Sequence, residues 1–552
     1  MDVMPRFSLH LLTGLALAAS TSAGGGGYYP PPQSAGTWRS YVTPNQTPTP
    51  TEQATLLSER GVDWSLLQQA WQGLQVSAQN GDMELLVIKD GWIVGHWETT
   101  PSLDLHRASI AKTFTSMTLA KMFDMSDAGD FSGLTPSTIG PESVAGDYLP
   151  ASWLQGDPRR NDLRVKHMLT MSSGITVSDF PTPSGPYLQT VLGLGTVADP
   201  GTSWAYASAP VDLLSIIVRD WTGDYLRDMF LDEIGTPIGM EPITWSAMGD
   251  AQNGFYTVGS AYLYISALEL ARPAYLLLRD GVWDDGTGPE TILSPARVAL
   301  LSQPAPFLAS TTIDPISAFA TTPNSNLTYG HLTWTNDDHK GWLAESVPDD
   351  AYFMAGFGTR YVMIVPSLDL VVVRYAERPQ PWSYGVVIAE TELLMEALGR
   401  TVEFPSFCDA ADGALDACPC GNAGYPITGC DIQQGTGGVQ LDVVAQTTAP
   451  SNGVTLTGSG FPSGANPTAI VIRGVGLEAS PAPFGDGLRC VSVPLVRLGA
   501  AFAQAGTSQH TFGHGTMAGT GVRTYQLWFR NTPAMFCTPD AFNLSNGREI
   551  VW

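Results

Sequence analysis

The chain contains one Ser-x-x-Lys tetrad, Ser109-Ile-Ala-Lys112, within the segment HRASIAKTFTSMTLAKMF. None of the other lysines (Lys89, Lys121, Lys166, Lys340) has a serine three positions upstream. Residues i and i+3 share one face of a helix, so the amine of Lys112 would lie beside the hydroxyl of Ser109. Serine is a weak nucleophile until a neighbouring base takes its proton. Lysine is such a base only where burial or adjacent positive charge lowers its pKa. Ile110, Ala111 and Phe114 supply apolar flanks suited to that burial. The tetrad alone would also suit an ordinary surface helix, so the segments downstream decide between the two.

The run DPGTSWAYASAPVDLLSIIVRDWTG places Tyr206-Ala-Ser208 97 residues after Ser109, behind a Pro200-Gly201 turn and ahead of an apolar helix at 210–221. A tyrosine there can relay a proton between nucleophile and leaving group. Further on, AGFGTRYVMIVPSLDLVVVRYAE predicts strands at 361–366 and 369–375 joined at Pro366-Ser367-Leu368-Asp369, with Gly356-Phe357-Gly358-Thr359 entering the first. Residues 62–79 put Leu66, Leu67, Ala70, Trp71 and Leu74 on one helical face, and MELLVIKDGWIVGHWE reads as a hairpin about Asp90-Gly91. Helices are expected at 113–125, 165–172 and 384–399.

Ser-x-x-Lys, Tyr-x-Ser and a glycine-containing strand entry, in this order, resemble the serine hydrolases of the β-lactamase and penicillin-binding superfamily. Those enzymes carry Ser-x-x-Lys, Tyr-x-Asn and Lys-Thr-Gly or a variant. The chain is most similar to the class C-like branch, with its family VIII carboxylesterases and 6-aminohexanoate-dimer hydrolases. VKHMLTMSSGI at 165–175 and SAYLYISALELARPAYLLLRDGVWDD at 260–285 share that likeness, which runs from about residue 55 to about residue 400. The resemblance implies an α/β (α+β) fold in which the first and last strands of an antiparallel sheet come from the two ends of the region. An inserted helical part would carry Tyr206.

By the same resemblance Ser109 attacks a carbonyl, Lys112 receives its proton, and Tyr206 passes that proton to the leaving group. The backbone amides of Ser109 and Thr359 form the oxyanion hole, and Ser208, Phe357, Gly358 and Arg360 contact substrate. Two departures are visible: Ser208 replaces Asn, and Gly356-Phe357 replaces Lys-Thr, which removes the cation that would hold a β-lactam carboxylate. Arg360 is the cation able to stand in for it. Trp204, Tyr206 and Tyr361 suggest burial of an aliphatic or aromatic substrate portion. The expected substrates are therefore small carboxylic esters, with linear amides slower. A β-lactamase or D-Ala carboxypeptidase is the alternative chemistry, and a non-catalytic exported binding protein the alternative of another class. The G-x-S-x-G elbow of α/β-hydrolases and the H-E-x-x-H of metalloproteases are both absent. No cofactor or metal is expected.

The net charge of −25 with only 27 basic residues argues against nucleic acid and anionic membranes as partners. Arg6, the apolar stretch Phe7 to Ala19 and the small residues up to Ala23 suggest a signal peptide at 1–23, and so a secreted or periplasmic protein. No other run reaches the roughly 18 apolar residues that span a bilayer. Residues 24–52, rich in Gly, Pro and Thr, read as a linker, residues 53–403 as the hydrolase, and 404–552 as a separate domain. All six cysteines (Cys408, Cys418, Cys420, Cys430, Cys490, Cys537) lie in that last part, where an even count in an exported chain favours disulfides. Their pairing stays open, save that Cys418 and Cys420 are not expected to bond to each other. Short strand-like runs such as VQLDVVAQ, TAIVIRG and TYQLWF predict a β-sandwich. This tail would bind a surface, a polymer or, through Asp409, Asp412 and Asp416, calcium.

Overall fold

The computed structural model describes residues 28–78, 81–100, 104–175, 187–250, 254–314, 325–336, 343, 346–376, 384–399, 406–408, 418–424, 428–432, 436–445, 453–461, 467–503, 507–513, 522–530 and 542–551. The expected signal peptide, the three aspartates proposed for calcium and Cys537 lie outside these residues.

Asp90 and Gly91 both take positive φ, 52° and 73°, which makes the tight reversal whose twist suits a hairpin. Strand β1 (Met83–Lys89) and strand β2 (Trp92–Glu98) pair across it. The remaining strands of the sheet arrive more than two hundred residues later: β3 (Trp334–Thr335), β4 (Tyr352–Gly356), β5 (Arg360–Val365) and β6 (Leu370–Ala376). Their order is β3-β4-β5-β6-β1-β2, antiparallel throughout. β1 meets β6 from Met83↔Ala376 to Lys89↔Leu370, so the two ends of the region close the sheet as the sequence predicts. β5 and β6 are buried at every residue. Since successive side chains face opposite sides of a sheet, both faces must be covered. Helix Ala267–Leu278 packs on β1, β5 and β6, while helices Trp64–Ala78 and Tyr384–Ala397 pack on each other and the former on β1.

Between β2 and β3 lies the helical part. Helix Ala111–Ala128 runs through its middle and buries residues on all sides, the mark of a central rather than a surface helix. Helix Ala209–Thr222 packs against it. A small sheet of Leu105–His106, Leu263–Ile265 and Thr244–Trp245 joins this part to the entry of the Ala111–Ala128 helix.

One sequence expectation fails here. From Tyr28 onward the Gly/Pro/Thr-rich segment is no linker but a strap laid on the sheet and its covering helix. Tyr41 N donates to Ile93 O and Ile93 N to Arg39 O, both at 3.0 Å, and Asn45 bonds Glu98 through both ends of its amide. The carbonyls of Pro30 and Pro31 accept from the buried guanidinium of Arg272. Trp38, 3% exposed, packs edge-on against Tyr275 at 5.2 Å. The composition misleads because interleaved aromatic rings bury large areas, and prolines, which lack an N–H, still offer carbonyls to a buried cation. Thr49 then caps helix Pro50–Arg60 through a reciprocal box with Glu52.

Beyond residue 405 the chain is sheet-rich. Strands Ser406–Phe407, Phe542–Val551, Val522–Arg530, Thr468–Gly474 and Val496–Phe502 form one sheet in that order, and Gln440–Ala445, Gly453–Ser459 and Thr507–Gly513 a second. Leu441 and Leu456 of the smaller sheet share a core with Val471, Tyr525, Leu527 and Phe529 of the larger, as in a sandwich. Cys408 bonds to Cys490 and Cys418 to Cys430, with Cα atoms 6.0 and 5.9 Å apart. Cys420 is disulfide-bonded as well.

Two outcomes are expected. Trp38→Ala should destabilise the protein by about 3–5 kcal/mol in denaturant unfolding, the usual cost of emptying a buried indole site; an unchanged midpoint would restore the linker reading. Non-reducing peptide mapping should recover the Cys408–Cys490 and Cys418–Cys430 cross-links.

Candidate active site

Ser109 lies where a strand gives way to a helix. Leu105–His106 pairs with Leu263–Ile265, Arg107 donates its amide to Leu263 O at 2.8 Å, and Ala108 takes φ 51°. A left-handed alanine costs on the order of 1–3 kcal/mol and persists only where its surroundings fix it. Here they do. Arg107, fully buried, pairs with Glu84 of β1 at 2.7 Å and donates Nε to Ile265 O at 2.9 Å. Gly356, the last residue of β4, presses on the same turn, since a Cβ at that position would lie 2.5 Å from Arg107 O. Ala108–Ile110 make one 3-10 turn and Ala111–Ala128 continues as α-helix. Ser109 thus lies at a helix N-terminus, where positive potential favours developing negative charge.

Lys112 is 1% exposed. Its Nζ lies 2.9 Å from Ser109 Oγ, 3.2 Å from Ser208 Oγ and 2.9 Å from Ser260 O. Burial pulls its pKa from 10.5 down to about 7, while the Asp212 carboxylate opposes the fall. A neutral amine has two N–H bonds and one lone pair. Ser260 O can only accept, and Ser208 Oγ can accept the second hydrogen, which leaves the lone pair for the Ser109 hydroxyl. This is the arrangement of a general base. Ser208 is the N-cap of helix Ala209–Thr222 yet makes no side-chain capping bond; its hydroxyl goes to Lys112. Expected from the sequence as a substrate contact, it lies in the structure against the amine.

Tyr206 hydrogen-bonds Ser109, and burial raises its pKa to about 12. It therefore stays a neutral phenol at ordinary pH, able to donate and accept but not a phenolate base. Trp334 of β3 stacks on it with centroids 5.8 Å apart and planes 20° apart, and Tyr329 meets it edge-on at 6.3 Å. Tyr264, in the chain's other Tyr-x-Ser, packs its ring against His106. Ser109, Lys112, Tyr206 and Ser208 are thus brought together by the fold.

The residues expected around the third motif are placed differently. Phe357, Gly358 and Thr359 form the turn between β4 and β5, with Gly358 and Thr359 at φ 87° and 61°. Phe357 is 58% exposed at its tip. Thr359 gives its carbonyl and hydroxyl oxygens to the buried Arg374 of β6, at 2.6 and 2.7 Å. Arg374 is paired in turn with Glu390. Arg360 does not supply an open cation: its guanidinium donates to His106 O at 2.7 Å and lies over the Tyr375 ring at 4.5 Å. Trp204 and Tyr361 are buried in the core, the first edge-on to Tyr329 and Trp334, the second bonded to Glu390. Neither lines an open acyl site.

Sequence reasoning missed Ser260, Asp212 and Trp334. Ser260 contributes a backbone carbonyl, which no motif announces. Asp212 had a signal, a lone carboxylate inside the apolar run APVDLLSIIV.

Comparison with known proteins places the chain in a family. The sequence profile of the Beta-lactamase family matches residues 67–394. The unguisins hydrolase ungD' of Aspergillus campestris is 24% identical over 306 residues, which take in 52% of this chain and 54% of that protein. The chain therefore spans about half the length of the curated relative it matches. Among solved structures, a beta-lactamase/D-alanine carboxypeptidase from Yersinia pestis has a TM-score of 0.45 at 17% identity, over 62% of this chain and 99% of that one. EstCE1, a hydrolase with promiscuous acyltransferase activity, has a TM-score of 0.44 at 14% identity, over 61% and 98%. The family match covers more than half of the chain and contains Ser109, Lys112 and Tyr206: this protein belongs to the Beta-lactamase family of hydrolases.

Proposed function

We propose that the protein is an exported serine hydrolase that cleaves small carboxylic esters through an acyl-enzyme on Ser109. The observation that carries this reading is the buried amine of Lys112, 2.9 Å from Ser109 Oγ and with a pKa brought to about 7. Neutral Lys112 takes the Ser109 proton as Oγ attacks the ester carbonyl. Negative charge gathers on the carbonyl oxygen, where preorganised N–H groups stabilise it. Ser109 N–H is one donor. For the second we take a backbone amide of the Phe357–Thr359 turn, which follows directly on Gly356, the residue that abuts the nucleophile's turn. When the tetrahedral intermediate collapses, the C–O bond to the alcohol breaks and Tyr206 hands its proton to the departing oxygen, regaining one from Lys112. Water then attacks the acyl-enzyme by the reverse relay and releases the acid.

Ester preference rests on what surrounds the hairpin. A lysine at position 356 would collide with the Arg107 backbone, and Arg360 and Arg374 are engaged in other contacts. Among the described residues, no cation is thereby offered to a substrate carboxylate from this edge, which disfavours β-lactams and D-Ala peptides. The exposed Phe357 offers an apolar contact instead. Amines leave less readily than alcohols, so linear amides should be slower. Disulfides and the absence, among the described residues, of a helix long and apolar enough to cross a membrane are compatible with export. The sheet-rich tail is read as a binding or anchoring appendage.

Ser109→Ala should abolish ester hydrolysis, and a fluorophosphonate should add its mass to the peptide containing Ser109; full activity in the variant would refute the mechanism. Lys112→Ala and Tyr206→Phe should each lose about 10²–10⁴-fold. The base works when neutral, so kcat/KM should rise with pH through about 7 and fall away below it as Lys112 takes up a proton. p-Nitrophenyl butyrate should exceed both a linear amide and nitrocefin in kcat/KM. Preference for nitrocefin would move the protein to the β-lactamase reading.

A further inference from the structure

Beneath Lys112 lies a carboxylate that the mechanism above does not use. Asp212 is fully buried in the first turn of helix Ala209–Thr222. Its Oδ1 accepts from Ser260 N and its Oδ2 from Ser260 Oγ, both at 3.1 Å. Ser260 O in turn accepts from Lys112 Nζ at 2.9 Å. The neighbouring residue is tied down from the other side, since Thr115, one turn beyond Lys112 on its helix, donates to Gly259 O at 2.7 Å. Gly259 has no room for a side chain, because a Cβ would lie 2.4 Å from Ser215 Oγ. The carbonyl that fixes one hydrogen of the amine is thus fixed itself.

We infer that Asp212 is a positioning residue for the hydrolysis: its carboxylate holds the Ser260 segment under Lys112 and sets a negative charge on the far side of that segment from the amine. This rests on the reading of Lys112 as the base. Holding Ser260 alone does not require a charge. An asparagine amide could accept from Ser260 N and donate to Ser260 Oγ, without the desolvation that a buried carboxylate suffers. What the charge adds is a counterweight. Burial alone would drive the lysine towards a permanently neutral amine that binds a proton poorly, and a base must both take and return one. The groups facing Lys112 are the neutral phenol of Tyr206, the hydroxyls of Ser109 and Ser208, the carbonyl of Ser260 and the Asp212 carboxylate. Among the described residues, the Asp212 carboxylate is the charge that opposes the effect of burial on Lys112.

The test is the acid limb of the kcat/KM profile for p-nitrophenyl butyrate, measured in wild type, Asp212→Asn and Asp212→Ser, with Ser260→Ala as the control that keeps the charge. Removing the charge destabilises protonated Lys112, so the limb in both Asp212 variants should move to lower pH by about one unit or more, the usual effect of a lost neighbouring counter-charge. In Ser260→Ala the limb should stay in place while kcat falls. A purely structural role would lower the rate in the Asp212 variants without moving the limb. An unmoved limb in the folded Asp212 variants overturns the inference, and so does a limb that moves equally in Ser260→Ala. If wild type hydrolyses no ester, or Ser109→Ala remains active, the hydrolase reading itself has failed, which these outcomes keep distinct.

Discussion

An amine shut away from water is the constraint on which this site depends. Lys112 would ordinarily be charged at neutral pH, and a charged ammonium cannot take a proton from serine. Burial disfavours the charge, but only if the cavity around Nζ is closed and every polar contact within it is met. Three oxygens meet them, and they come from stretches of chain far apart: Ser109 from the nucleophile's own turn, Ser208 from the start of the Ala209–Thr222 helix, and Ser260 from the segment leading into the small sheet. The central helix, buried on all sides, exists in a form that makes this possible.

The sheet supplies rigidity rather than chemistry. β1 contributes Glu84, which neutralises Arg107 and so fixes the left-handed residue before Ser109. β4 ends in the one residue small enough to lie against that turn. β6 and the Tyr384–Ala397 helix contribute Arg374 and Glu390, which hold the far side of the β4–β5 turn. Two buried ion pairs therefore flank the reaction centre without touching it. Buried pairs of this kind are a weak source of stability, because desolvation offsets their attraction; here they define geometry.

How far the sequence reveals this depends on the range of the interaction. Ser109 and Lys112 are one helical turn apart, and the hairpin about Asp90-Gly91 is local, so both are legible in the residues. The pairing of β1 with β6 and the place of Tyr206 follow from resemblance of order and motif. Arg360 misleads because a side chain's direction at a strand end depends on what lies beneath, here Tyr375 and the His106 carbonyl. That Ser208 lies against Lys112 is not legible either, because the two are 96 residues apart. The strap from Tyr28 to Thr49 defeats composition outright, because its partners lie far along the chain, Ile93 and Glu98 about fifty residues away and Arg272 and Tyr275 more than two hundred.

The central claim is that Lys112 is a base because the fold makes it neutral at working pH. With only five lysines in the chain, selective isotopic labelling of lysine and an NMR titration can follow its side chain directly, with Lys112→Ala to assign the signal. The account predicts a Lys112 midpoint near 7, apart from the other lysines. A Lys112 signal that titrates with the rest, at an ordinary lysine value of about 10.4, would contradict it.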